Sequence, residues 1–194
     1  MSVNVERLSE NSVKVTVEVG SLFSNFVEDD FSIMIDRSID SDLSTEVIMT
    51  LRYLNKKDPD REITIYINSP GGSVSDGMAI FDFCQKLSNP IKTIGLGLCA
   101  SMGAFLLICL GTNREAGKNC EIMIHQPLIT GMPGSKATDV EIVARQLLKI
   151  REKINLHIAE RSNLSEKEIE ALSESDKWMS AEEALGYGFI DSLY

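Results

Sequence analysis

Histidine is scarce in this chain: of 194 residues only His125 and His157 carry an imidazole, so any chemistry that needs that base must use one of the two. Cysteine is sparse as well. Cys84, Cys99, Cys109 and Cys120 form no C-x-x-C pair, so neither disulfides nor zinc are indicated. They sit mostly within apolar runs, as buried free thiols do in a reducing compartment. Long apolar runs are missing too. The run around Phe105 to Leu110 falls well short of the roughly 20 residues a membrane-spanning helix needs. The segment Met1 to Arg7 has neither the basic start nor the apolar stretch of a secretory leader, which predicts a cytoplasmic protein. No Gly-x-x-x-x-Gly-Lys-Ser/Thr motif is present, so this chain is not predicted to bind nucleotide itself. Basic charge is in deficit, with 19 Lys and Arg against 29 Asp and Glu. The resulting net charge of -10 argues against nonspecific nucleic-acid binding and says nothing about peptides.

What is present suits one compact domain. Hydrophobic residues make up 43% of the chain, enough for a single substantial core at this length. Short apolar runs alternate with helical segments, without repeats or low-complexity tracts, which predicts an α/β fold. Val13 to Val19 alternates at period two and reads as an early strand or hairpin arm. Ser32 to Ile35 reads as the next strand, followed by a helix near Ser41 to Asn55 that ends before Asp58-Pro59. Glu62 to Ile67 is a strand and Gly77 to Leu87 a helix closed by Ser88-Asn89-Pro90. Farther on, a capping box from Thr138 to Glu141 opens a long helix with Val140, Val143, Leu147, Ile150, Ile154 and Ile158 at helical spacing. The same spacing at Ser165 to Glu168 and at Ser180 to Glu183 predicts two short helices.

Ser101 is the most informative residue. It lies between the strand-like Lys92 to Gly97 and the small-residue, helix-like Met102 to Leu107. A serine at such a turn presents its hydroxyl at a helix N-terminus, where free N–H groups and the dipole favour developing negative charge. Serine is equally a common N-cap, so the position means little unless a base and oxyanion donors accompany it. His125 is the candidate base: it closes Ile122-Met123-Ile124 and is followed by Gln126-Pro127, which puts the imidazole at a strand tip. His157 lies among Leu156, Ile158 and Glu160 in the long helical stretch and reads as a surface or packing histidine. The donor candidate is Asn68-Ser69-Pro70-Gly71-Gly72-Ser73, where paired glycines after a strand let backbone approach a ligand closely. It offers the Gly72 N–H beside that of Met102. The carboxylate that would orient the imidazole is not fixed by this reasoning, since Asp76, Asp82, Asp139, Asp176 and Asp191 are all conceivable.

Three blocks, Tyr66 to Val74, Ala100 to Leu107 and Ile122 to Pro127, resemble in order and spacing the signature segments of the ClpP family, the proteolytic subunits of Clp proteases. Weaker likeness appears in Ala137 to Ile142 and in Met179 to Ala184 with Tyr187-Gly188, so that about residues 28 to 194 are covered. The resemblance implies a ClpP/crotonase-like fold of repeated ββα units with a protruding helix-strand handle. The domain reading is one peptidase domain over 1–194, with a divergent N-terminal segment at 1–27 and the handle at about 128–160, its strand falling on Leu128 to Ser135. Carried over residue by residue, the resemblance makes Ser101 the nucleophile, His125 the general base and later acid, and Asp176 the orienting carboxylate, with the oxyanion hole at Gly72 and Met102. It further implies heptameric rings stacked in pairs around a chamber, fed unfolded polypeptides by an AAA+ unfoldase of the ClpX, ClpA or ClpC type. No cofactor or metal is implied in this subunit, ATP being used by the partner ATPase, and neither nucleic acid nor membrane is an expected partner.

Departures from the family pattern qualify the expectation. Ser175 stands where the family has an arginine that pairs across rings, and a neutral hydroxyl cannot make that charge-assisted contact. Asp36-Arg37-Ser38 and the first two dozen residues differ as well. A weakly or non-catalytic ring subunit that co-assembles with an active paralogue is therefore an alternative. An acyl-CoA enzyme of the crotonase type is another, although the Ser101 and His125 pairing argues against it. Cys99-Ala100-Ser101-Met102-Gly103 lacks the leading glycine of the Gly-x-Ser-x-Gly elbow, which disfavours an ordinary α/β-hydrolase.

Overall fold

In a computed structural model the chain is described over residues 2–9, 12–18, 24–129 and 136–194. Strands β1 (Ser2–Ser9) and β2 (Ser12–Glu18) pair antiparallel as the hairpin that the early alternation predicts. A π-helical turn over Ser24–Asp29 leads into β3 (Ser32–Ile35), whose bounds match the expectation.

From β3 to β6 strand and helix alternate, as predicted for an α/β chain. Helix α1 (Ser41–Lys57) opens where Asp40 accepts the Leu43 N–H at 2.9 Å, and it buries Leu43, Val47, Leu51 and Leu54 along one stripe. Lysines 56 and 57 in its last turn complement the dipole and carry the helix two residues past the expected end. Strand β4 (Ile63–Ser69) buries Ile63, Ile65 and Ile67 at period two. Helix α2 (Val74–Cys84) begins three residues before the expected Gly77, because Ser73 Oγ accepts the Asp76 N–H and starts the helix at the turn itself. It ends at Cys84 rather than Leu87, where Lys86 and Leu87 close shorter turns onto Phe83 and Cys84.

Strand β5 (Ile91–Ala100) is the spine of a seven-stranded sheet ordered β3-β4-β5, then β6 (Asn113–Ala116) and β9 (Ser192–Leu193). It divides its partners. Lys92 to Gly95 pair with β6, whereas Leu98 to Ala100 pair with β7 (Glu121–Ile124). The change of partner falls at Gly97, whose φ of +60° suits glycine, and the Asn68 carboxamide oxygen receives the Leu98 N–H there at 3.1 Å. Strand β8 (Lys177–Met179) then adds to β7 antiparallel. The sheet thus branches at the end of β5 where Ser101 lies.

Helix α3 (Met102–Leu110) is buried at every position, which explains its unbroken apolar sequence. Helix α4 (Ala137–Glu160) is buried only at Ile154, Asn155 and Ile158. Val140 and Ile142 toward its start are exposed, Ile142 at 61%. Along the apolar stripe Val143, Leu147 and Ile150 are half-buried, and Ile150 packs against this chain's core ahead of the buried Ile154 and Ile158. The helix starts at Ala137, not in a Thr138 box: the Lys136 N–H donates to Asp139 at 3.3 Å, which puts Thr138 inside the first turn. The predicted handle strand at Leu128 to Ser135 lies largely outside the described residues. Helices α5 (Glu166–Leu172) and α6 (Ala181–Tyr187) carry the two predicted capping boxes and flank Asp176. No described helix is long and apolar enough to cross a membrane.

The core runs between the sheet and helices α1 to α3, with Phe31, Phe105 and Phe189 among its largest fully buried side chains. All four cysteines are buried free thiols, as their apolar settings predict. Burial pushes the Cys84 thiol up to about 12. A buried guanidinium, Arg114, ties β6 to the chain's end through both oxygens of Asp191, and its hydrogen bonds hold the Asp191 carboxyl below the usual range.

Candidate active site

The site begins where β5 runs out. Ala100 ends the strand, Met102 begins α3, and Ser101 turns between them at φ 56° and ψ -122°. A residue with a Cβ is rarely found there, and such strain costs about 1–3 kcal/mol unless its surroundings hold it. They do so on both sides. The Ser101 N–H donates to the Met123 carbonyl on β7 at 2.8 Å, and its carbonyl receives the Phe105 N–H at 3.0 Å.

The hydroxyl has turned away from the helix it precedes. Ser101 makes no side-chain cap bond, and its Oγ lies 2.8 Å from His125 Nε2. An N-cap serine would bond an N–H of α3, so this hydroxyl does not serve the helix as a cap. His125 follows the last residue of β7, and β7 pairs with β5 through Cys99 and Ile122, so the two strand ends bring serine and imidazole together. The side chain of His125 is 13% exposed, which leaves its ring fixed yet reachable.

Asp176 comes from the other neighbour of β7. The antiparallel register sets Ile124 opposite Lys177, so the next pair outward is His125 and Asp176. Asp176 Oδ1 lies 3.5 Å from His125 Nδ1, too long for a good hydrogen bond, and its side chain is 62% exposed. Imidazole and hydroxyl are engaged, and the carboxylate stands at the rim. The other candidates are elsewhere: Asp191 binds Arg114, Asp139 caps α4, and Asp76 and Asp82 both lie in α2.

Gly71 and Gly72 bring a second backbone segment against this turn. A Cβ on Gly71 (φ +93°) would meet Ser101 Cβ at 2.6 Å and the Met102 nitrogen at 2.9 Å. The glycine segment therefore packs closely against the Ser101 turn. Gly72 bridges to Ile39, whose N–H and carbonyl bond Gly71 O and Ser73 N, each at 2.8 Å. Those bonds use the atoms on either side of Gly72 and leave its own N–H out of the ladder. Met102, as the first residue of α3, has an N–H with no acceptor in its own helix. Ile39 is a part of the site that sequence reasoning missed, because nothing local marks an isolated bridge.

Beside Ser101 and His125 opens a small apolar recess lined by Met102, Phe105, Ile124, Pro127, Ile154 and Ile158. Ile154 and Ile158 come from α4, so the helix that carries the exposed apolar face also walls the recess. His157, the other histidine, packs tilted against Phe81, with ring centroids 4.8 Å apart and planes at 50°, and reaches Phe105 edge-on at 6.2 Å. It packs, as its sequence setting suggests, and takes no place beside Ser101.

The Clp protease family model matches residues 18–194, beginning ten residues before the stretch over which the likeness can be read by eye. With nearly the whole chain covered, the protein belongs to the Clp protease family and is a ClpP-type peptidase.

Proposed function

We propose that the chain is a serine endopeptidase subunit that hydrolyses unfolded polypeptides through an acyl-enzyme on Ser101. The observation that carries this reading is the 2.8 Å approach of His125 Nε2 to a serine hydroxyl that has forgone its helix-capping role. Nε2 takes the proton as Oγ attacks the peptide carbonyl, and the tetrahedral oxyanion forms beside the Gly72 and Met102 amides. One such donor contributes about 3–4 kcal/mol in the transition state. His125 then returns the proton to the leaving amine. Water, deprotonated by the same imidazole, releases the acyl group. Asp176 holds the Nδ1 proton side of the ring and favours its charged form. The apolar recess would take the side chain before the scissile bond.

Membership of the family implies ring oligomers and association with Clp ATPases in general terms. The finer reading is of heptameric rings, stacked in pairs, that enclose the sites and receive chains from an AAA+ unfoldase of the ClpX, ClpA or ClpC type. The exposed apolar face of α4 supports contact with a second copy. A fluorophosphonate probe tests the chemistry: the sized oligomer gains the probe mass, and the Ser101→Ala protein does not. No labelling of a confirmed oligomer refutes an activated Ser101.

A weakly catalytic subunit is the second reading, favoured by the 3.5 Å gap and exposure of Asp176 and by the neutral Ser175 next to it. It predicts labelling only after an active paralogue is added.

A further inference from the structure

Asp176 is exposed and lies two residues beyond Glu174 in a segment that connects α5 to β8 without secondary structure of its own. Among the described residues, the hydrogen bonds that fasten this segment to the base's strand come from one residue. The Gln126 N–H donates to the Ser173 carbonyl at 3.0 Å, and its side-chain Nε2 donates to the Glu174 carbonyl at 3.1 Å. Gln126 is the residue after His125. Ser173, at the other end, is itself buried and held to α5 through Ile169 and Glu170.

We infer that Gln126 is a positioning residue: it clamps the Ser173–Glu174 backbone to the strand tip that carries the imidazole, and so fixes how far Asp176 stands from Nδ1. The main-chain bond survives any substitution but proline. The side-chain bond does not, and it is the one nearer Asp176. With its donor gone, Glu174 and Asp176 are held only by Ser173 on one side and the β7–β8 ladder on the other. An exposed carboxylate on such a span samples positions beyond 3.5 Å, where its field at Nδ1 is weaker. No charge of its own is needed for Gln126 to act, and it does not touch the reacting atoms.

The inference rests on the peptidase reading for its kinetic consequence and not for the clamp, so its test reads both. Gln126→Met keeps the length of the side chain and removes the donor. Gln126→Lys restores a donor. Hydrogen exchange of the peptide covering residues 173–177 should quicken in Gln126→Met and return toward the wild-type rate in Gln126→Lys. Fluorophosphonate labelling of Ser101 should slow about fivefold in Gln126→Met, the worth of one net hydrogen bond and less than the loss of the Asp176 charge itself would bring. In an Asp176→Asn background the same change should slow it less than about twofold, because the group being positioned is gone. An equal slowing in both backgrounds would make Gln126 a merely structural residue. Unchanged exchange in Gln126→Met would overturn the clamp outright. A wild type that never labels, with exchange still quickened, would refute the peptidase reading and leave the clamp standing.

Discussion

Gly71→Ala is the substitution that most directly tests the packing of the glycine turn onto Ser101. An added Cβ would sit 2.6 Å from Ser101 Cβ, 2.7 Å from the Ala100 carbonyl oxygen and 2.9 Å from the Met102 nitrogen. Two of the three are backbone atoms and the third is the first atom of a short side chain, so no flexible end can swing aside. Ordinary contact begins near 3.4 Å, and restoring it to all three requires a shift of about 1 Å between the two turns. The alanine must also hold φ near +93°, which costs about 1–2 kcal/mol. Overpacking adds about 1–3 kcal/mol, giving a total of about 2–5 kcal/mol. A displacement of that size at a nucleophile costs about 100-fold in rate. Gly186→Ala is the control: its added Cβ meets nothing within 4 Å, and inside α6 an alanine should stabilise by up to about 1 kcal/mol. The assay is the rate of fluorophosphonate labelling, with thermal unfolding alongside. Labelling of Gly71→Ala within twofold of wild type would refute the reasoning, because it would mean that the glycine turn is not seated on Ser101.

Asp176→Asn should slow Ser101 labelling by about tenfold if the carboxylate acts from its present exposed position, the worth of a unit charge at this range in water. A loss nearer 10⁴-fold would show that it closes on Nδ1 during the reaction. Asp191→Asn should destabilise the protein at pH 7. The native carboxyl is held low by Arg114, so its stabilisation is present above its unfolded range and is lost as pH falls through the lower native value; the melting curves of variant and wild type should converge once the pH lies below that lowered native range. Leu107→Ala, which empties a fully buried place in α3, should cost about 2–5 kcal/mol in denaturant unfolding, and a cost under 1 kcal/mol would contradict the packing. The four thiols should resist a water-soluble disulfide reagent at pH 8 until denaturant is added, when all four should react.

The elements that could be read from the sequence are those whose cause is local. β3 and the start of α1 were fixed by a short apolar run and an aspartate cap, and both lie where they were expected. Ser101 and His125 were legible for the same reason: each sits at the edge of an apolar run, and the parallel pairing of β5 with β7 needs only those two strand ends to be adjacent. The start of α2 was misplaced because Ser73 serves two structures at once, the glycine turn and the helix cap. Thr138 misled for a related reason, since the box-like spacing from Thr138 to Glu141 hid the bond that Asp139 makes one residue earlier.

Asp176 shows the limit in physical terms. Five aspartates were open to reason, and no spacing in the chain favours one, because the choice is made by the register of β8 on β7, two segments more than fifty residues apart. Once Ile124 faces Lys177 the choice is forced, since only Asp176 can then stand across from His125. The same pairing explains why the carboxylate is looser than the serine. Ser101 is fastened by main-chain bonds to β7 and α3, between the buried Ala100 and Met102. Asp176 lies one step beyond the last rung of a three-residue strand at the sheet's rim. Within this chain Ser101 and His125 are set by the core, whereas Asp176 depends on whatever steadies the rim, so changes at the rim should tune the labelling rate of Ser101 while changes at the β5–β7 junction should abolish labelling.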